Sequence, residues 1–363
     1  SATETMNRKN INMGLDEATE VSEQTLQAAG ALTAGDVAAF DIDAGSGNWS
    51  SNAILHLRYT ADATGERPPR LFLKMVSTDL DDESFGASEV DYYIRDYVGL
   101  AETPLVRCYD AVYSAELQRY HLLLDDVSPT HVLASSRPPT LAYGLALAEG
   151  LAALHAHWWG AARLAEAAAP IHDAAFIRRF VAIAEPGVDH ILAAVGDQLE
   201  PHWPGLMRDL FARHPAALIA RAADANGFTL IHGDVGENNV LVPRQGDRPI
   251  YIIDRQPFDW SLTTWLGVYD LAYAMVIDWD VPTRRALEWP VLRRYHDELL
   301  RRGVAGYGWE RLAEDYRLTA AMAVTVATEY YRGGVSARWW SFGPEMLRRA
   351  LTACDDLDCA ALW

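Results

Sequence analysis

The sequence is short of cysteine, of basic charge and of long apolar runs, and each shortage excludes a class of protein. Three cysteines in 363 residues (Cys108, Cys354 and Cys359) make neither a disulfide framework nor a metal-like spacing, and they suit a reducing cytoplasm. Lys and Arg number 31 against 50 Asp and Glu, for a net charge of −19. Nucleic acid and anionic membrane both require a basic surface, so neither is expected as a partner. The longest apolar stretch, "LAYGLALAEGLAALHAHWWGAA", is broken by Glu149 and two histidines. It reads as a buried amphipathic helix rather than a membrane span. The opening "SATETMNRKNINMGLDEATE" has no apolar core, so no secretory signal is expected and the reading is cytoplasmic. Internal repeats are missing as well.

What is present is a chain of ordinary globular composition, half apolar and 22% charged, long enough for two domains or lobes. Residues 1–35, polar at the start, are expected to form a flexible leading segment. Residues 36–126 read as strands: "SNAILHLRYT" (51–60) alternates, "RLFLKMV" (70–76) is a short apolar run, and "PLVRCYDAVYS" and "RYHLLLDDV" make a second pair. Between the pairs, "SEVDYYIRDYVGL" (88–100) spaces Val90, Ile94, Tyr97 and Val98 as a helix would. Helices dominate from 127 to 363, starting after a proline pair with a stripe of Leu141, Leu145, Ala148, Leu151 and His155. The exception is 228–256, three short strand-like runs around a polar loop. The expected fold class is α+β, a small antiparallel β-sheet lobe with one helix and a larger, mainly helical lobe, hinged near 122–130.

That polar loop carries the chemistry. Asp234 and Asn239 stand five apart between apolar runs, so both can point into one site, the Asp toward a substrate hydroxyl and the Asn oxygen toward a metal. Asp254 follows at the end of the next strand. Hard Mg2+ takes oxygen ligands, usually one or two carboxylates with phosphates and water. Phosphoryl transfer needs this set, with a base near the nucleophile and a lysine on the phosphates. His232-Gly233-Asp234, then Asn239, then Ile253-Asp254-Arg255-Gln256 repeat the spacing of a kinase catalytic loop and its metal aspartate. The first lobe holds the other parts in kinase order. Gly45, Ser46 and Gly47 lie in a turn whose backbone N–H groups could face phosphates, Lys74 sits in the next strand, and Glu89 on the inserted helix is placed to hold it.

With "GVYDLAYAM" after them, these motifs resemble the aminoglycoside phosphotransferase and choline-kinase-like superfamily, whose pattern is H-G-D-x-x-x-x-N, I-D-[FW]-[EQ] and a later D-L-A. Gln256, "DLAYAM", "LLLDDVS" and "LHAHWW" look most like its ecdysteroid-kinase-like branch. The resemblance runs from about residue 40 to 335 and is weakest across 160–225. It implies a protein-kinase-like bilobal fold, with ATP bound by 36–126 and catalysis and substrate binding in 127–363. It also implies Asp234 as catalytic base, Asn239 and Asp254 as Mg2+ ligands, Lys74 paired with Glu89, and the backbone of Leu123, Leu124 and Asp125 holding adenine. His232 and Asp270 would brace the core. Arg255 departs from the family, standing where an aromatic residue is usual.

Blander readings stand beside these. The 232–239 loop could be an ordinary Asx turn, the 45–51 turn a plain hairpin, and Glu83 or Asp82 the partner of Lys74. His155 and His157 look ligand-like, but residues two apart on a helix do not share a face, and a core histidine is expected. Asp278 and Asp280, with Trp260, Trp265, Tyr330 and Tyr331, could line a pocket for an amine, although most of the 12 tryptophans should be core. The leading expectation is a phosphotransferase that uses ATP and Mg2+ on the hydroxyl of a small-molecule alcohol. One rival is a kinase-fold nucleotide-binding protein without transfer activity. Another is a metal-dependent hydrolase using His232 and Asp234 as ligands, which would need further His or Asp clusters.

Overall fold

The computed structural model describes residues 23–46, 50–80, 83–166, 170–334 and 343–363. They form two compact units. The first runs up to Gly99 and includes Leu105–His131 and Pro257–Asp259; the second holds Leu100–Pro104, Val132–Gln256 and Trp260–Trp363.

The first unit is built on a five-stranded antiparallel sheet of β1 (Val37–Ser46), β2 (Ser50–Tyr59), β3 (Arg70–Ser77), β4 (Cys108–Ser114) and β5 (Arg119–Asp125), in the order β1–β2–β3–β5–β4. Alternation decides its faces. Leu71, Leu73 and Met75 of β3 join Leu55 and Leu57 in one apolar cluster, so Lys74, one residue out of phase, belongs to the opposite face. The helix α1 (Ser88–Ile94) packs against β4 and β5. Its face matches the expected one only in part. Val90 and Tyr97 are buried, but Ile94 and Val98 are 48% and 68% exposed, and Glu89 and Tyr92 are buried in their place. A carboxylate can take the buried position because Lys74 and Tyr120 both bind it, which an unpaired one could not. The leading segment also departs from expectation. Leu26, Ala31 and Leu32 are in the core, because an apolar sheet face must be covered. Residues 1–22 lie outside the described residues.

The second unit is mainly helical. Its helices include α2 (Leu141–His157), α3 (Ala174–Ala184), α4 (Pro186–Val195), α5 (Trp203–Arg221), α6 (Val268–Ala272), α7 (Val281–Arg301), α8 (Trp309–Glu329) and α9 (Gly343–Asp356). A single π-helical turn, Tyr273–Asp278, follows α6. Thr140 caps α2 by accepting the Tyr143 N–H, and Asp280 caps α7 by accepting that of Thr283. α8 is buried nearly all round, as a central core helix must be. The expected stripe on α2 is only partly right. Leu141 is 42% exposed, while Gly144, Leu147, Ala148 and every residue from Leu151 to His155 are buried. The helix lies against α7 and then also against a strand, so its second half is covered on more than one side. Short strands frame the polar loop: β6 (Phe228–Leu230) pairs with β9 (Thr264–Leu266), and β7 (Val240–Pro243) pairs with β8 (Tyr251–Ile252).

Candidate active site

The loop after β6 is held by a fully buried carboxylate. Asp270 of α6 accepts the His232 N–H at Oδ2 (2.8 Å) and the Gly233 N–H at Oδ1 (2.9 Å). His155 donates Nε2–H to Oδ2 at 2.8 Å and meets the Tyr295 hydroxyl at 2.7 Å through Nδ1. Burial alone would raise the pKa of Asp270, but the hydrogen bond and charge of His155, together with His232, outweigh it and hold the carboxyl below its usual range. Position 233 has to be glycine: its φ is +84°, and a Cβ would lie 2.6 Å from Gln256 Cγ. Burial brings His232 down to about 4, so its ring is neutral. Nε2–H therefore donates to Ile253 O at 2.7 Å, and Nδ1 accepts the Asp234 N–H at 3.2 Å.

On this support the three loop residues come together. Asn239 donates Nδ2 to both Asp234 O (2.8 Å) and Asp234 Oδ2 (3.0 Å), which leaves Asn239 Oδ1 as an acceptor on the other side of the amide. The Ile253 N–H donates to Asn239 O at 2.9 Å, one step beyond the Val240–Ile252 pair, and so sets Asp254 next to Asn239. Asp254 adopts φ +56°, a left-handed conformation that Asp tolerates better than most residues and that costs about 1–3 kcal/mol. Amide and carboxylate oxygens suit a hard cation. Among the described residues no three His, Cys, Asp or Glu side chains converge as a metal cage. A divalent ion here would take much of its coordination from phosphate and water, as Mg2+ does.

Asp234 is half-buried, and its Oδ1 accepts the Tyr273 hydroxyl at 2.6 Å. Burial, with the charges of Asp254 and Asp278, pushes it up to about 7 against the Tyr273 and Asn239 hydrogen bonds. A carboxylate titrating near neutrality is well matched to accepting an alcohol proton. Beside it, the Glu237 N–H donates to Asp278 Oδ2 at 2.7 Å. Gly236 allows that approach, since a Cβ there would lie 2.9 Å from the same oxygen. Burial and then the Asp278 charge push Glu237 up to about 7. Sequence reasoning missed Tyr273 and Glu237. The one trace of Tyr273 is its place three residues after Asp270 in "DLAYAM". The pocket reading is corrected for Trp265 and Tyr331, which are buried core; Tyr330 is half-buried and raised by burial, with Asp234 and Asp278 adding to it.

In the first unit, Lys74 Nζ donates to Glu89 Oε1 at 2.6 Å, and the Tyr120 hydroxyl donates to Oε2. The two side chains of the ion pair are 12% and 2% exposed. Asp82, a rival partner, lies outside the described residues. Lys74 is one of only two lysines, with Lys9, among 31 Lys and Arg. In a chain that otherwise uses arginine, a compact ammonium is a compositional signal. Gly45 and Ser46 still belong to the β1–β2 ladder, opposite Asn52 and Ser51, and Gly47 lies outside the described residues. Leu123, Leu124 and Asp125 are in β5, between β3 and β4, where they face Leu73, Phe72 and Leu71 of β3. The Asp125 N–H donates to Arg107 O at 2.8 Å. That N–H is engaged within its own lobe, as inner-strand donors are.

Neither a protein-family model nor a curated protein sequence matches the chain. Solved structures do. A choline kinase from Cryptosporidium parvum is 11% identical over 89% of this chain and 89% of its own, with a TM-score of 0.52. A glucosamine kinase in complex with glucosamine, ADP and inorganic phosphate is 15% identical over 93% of this chain and 82% of its own, also with a TM-score of 0.52. The fold is kinase-like. The small antiparallel-sheet lobe and the helical lobe of this kinase-like fold match the expected class, and at these identities the likeness is one of fold alone.

Proposed function

We propose that the protein is an ATP- and Mg2+-dependent kinase that transfers the γ-phosphoryl group to a hydroxyl of a small-molecule alcohol. The observation that carries this reading is the Asp234–Asn239 pair: a half-buried carboxylate bonded to the amide of Asn239, whose backbone carbonyl in turn accepts the N–H of Ile253, the residue before Asp254. Phosphoryl transfer asks for positioning and charge stabilisation more than covalent chemistry. The acceptor oxygen bonds to the γ-phosphorus as the bond to the β–γ bridging oxygen breaks. ADP leaves, and the hydroxyl proton passes to Asp234. Mg2+, held by Asn239 and Asp254, would neutralise charge on the β- and γ-phosphates. Lys74, held by Glu89, would take the α/β-phosphate side.

In this reading residues 36–126 bind the nucleotide and 127–363 carry catalysis and the acceptor. The named activities of the choline and glucosamine kinases that share the fold support a small-molecule hydroxyl as acceptor, and Gln256 with "DLAYAM" favours the ecdysteroid-kinase-like branch. A cytoplasmic protein that binds no nucleic acid completes the reading. Among the described residues no helix is long and apolar enough to cross a membrane.

The test is thermal stabilisation by ATP and GTP, with and without Mg2+, followed by a screen of alcohols for ADP formation. A Mg2+-dependent rise is expected, worth about 2.7 kcal/mol with nucleotide at a hundred times Kd. A rise without turnover on any alcohol favours the nucleotide-binding protein without transfer activity. No rise contradicts both.

A further inference from the structure

The π-helical turn Tyr273–Asp278 touches the Asp234–Asn239 loop at both ends. Tyr273 donates to Asp234 Oδ1 at 2.6 Å, and Asp278 accepts the Glu237 N–H at 2.7 Å. An α-helix turns by about 100° per residue, so side chains five apart would stand roughly 140° apart around its axis. The i→i+5 bonding of a π turn brings the fifth residue back close to the first, and such turns concentrate at functional sites. This one is firmly seated. Ala274, Met275, Val276 and Ile277 are buried, and Arg349 of α9 donates Nη1 to Ile277 O (3.2 Å) and Asp278 O (2.9 Å), carbonyls that a helix end leaves without partners.

We propose that this turn positions the reacting loop: Tyr273 and Asn239 together lock the Asp234 carboxylate in one rotamer, with a lone pair of Oδ2 left for the acceptor hydroxyl, while Asp278 pins the Glu237 end. The inference rests on Asp234 being the base. Tyr273 touches no reacting atom, so it is a positioning residue. A carboxylate offers about four acceptor sites over its two oxygens, and the Tyr273 and Asn239 bonds occupy one on each. Without the hydroxyl the carboxylate can rotate away from the attack geometry, and an error of about 1 Å there costs on the order of 10²-fold in rate.

The experiment follows phosphate release from MgATP with water as the acceptor, in the wild type, Tyr273→Phe, Asp234→Ala and the double variant. Tyr273→Phe is expected to stay folded, with a melting midpoint lowered by only several degrees, and to keep the KM for MgATP while kcat falls about 10- to 100-fold. In the Asp234→Ala background the same substitution should change kcat by less than about twofold, because the hydroxyl acts through that carboxylate. Asp278→Ala tests the other end of the turn, with a loss in kcat and none in KM expected. Wild-type kcat in Tyr273→Phe or in Asp278→Ala, or an equal Tyr273→Phe loss with and without Asp234, overturns the inference. A wild type that binds MgATP and transfers phosphate neither to water nor to any alcohol of the screen overturns the transfer reading instead, and the inference with it.

Discussion

Replacing Asp270 with asparagine changes one atom of a buried carboxylate and should loosen the loop that carries Asp234. Oδ1 of Asp270 accepts one donor, the Gly233 N–H, and Oδ2 accepts two, the His232 N–H and His155 Nε2–H. An amide has only one acceptor oxygen. In its better orientation that oxygen takes the Oδ2 place and the NH2 faces the Gly233 N–H, donor against donor. One charge-assisted bond is lost, about 1.5–3 kcal/mol, and a buried N–H is left unsatisfied. The two remaining bonds weaken because their acceptor is now neutral. The total is roughly 3–5 kcal/mol, comparable with breaking a buried ion pair. For a unit of this size that corresponds to a drop of about 10 °C in melting midpoint. Scanning calorimetry of Asp270→Asn beside the wild type measures it. A variant that melts within about 2 °C of the wild type would refute the claim that this carboxylate holds the loop.

Three further outcomes are expected. Asp234→Ala should lose transfer while keeping nucleotide-induced stabilisation; in the wild type, kcat/KM should fall about tenfold per pH unit below about 7, as the base protonates. A variant with near wild-type turnover would remove Asp234 as the base. Glu89→Gln breaks the buried pair with Lys74 and should cost about 3–5 kcal/mol of stability and weaken MgATP binding in calorimetric titration; unchanged binding would detach Lys74 from the nucleotide. His214 of α5 is buried, donates to Leu318 O at 3.0 Å and is pushed down to about 4 from 6.5 by burial. Between those values the unfolded chain binds a proton that the folded chain does not, so this group's contribution is full above about 6.5 and is lost as pH falls toward about 4. His214→Gln should therefore make unfolding free energy less pH-dependent by up to about 1.4 kcal/mol per unit in that window, read from urea titrations at several pH values; an unchanged slope would show that the ring is not held neutral.

How much of this is legible in the sequence depends on whether the deciding contact is local. β2 and β3 are legible because alternation marks the buried face directly, and the same alternation sets Lys74 opposite Leu73. The Asp234, Asn239 and Asp254 set is legible because its spacing is fixed by one loop and one strand pair. The face of α1 is only partly legible, since Glu89 earns its buried place through Lys74 and Tyr120, far away in the chain. The fate of the Asp125 N–H depends on Arg107, on the approach to a neighbouring strand. Tyr273 escapes because a 3.6-residue period is blind to a π turn, and nothing in "YAMVID" announces the change of register. Roles such as metal ligand or adenine contact come from the family resemblance, and the residues alone leave them open.

The scarcity of lysine makes one measurement decisive for nucleotide binding at this site. An acyl-phosphate derivative of ATP transfers its acyl group to a lysine lying against the phosphates, and this chain offers only Lys9 and Lys74. After brief labelling with Mg2+ present, digestion and mass spectrometry read the two positions separately. Acylation of Lys74 that excess MgATP suppresses, with Lys9 indifferent to MgATP, is the outcome expected of a kinase. Lys74 left unmodified, or modified to the same extent with and without competing MgATP, would contradict it.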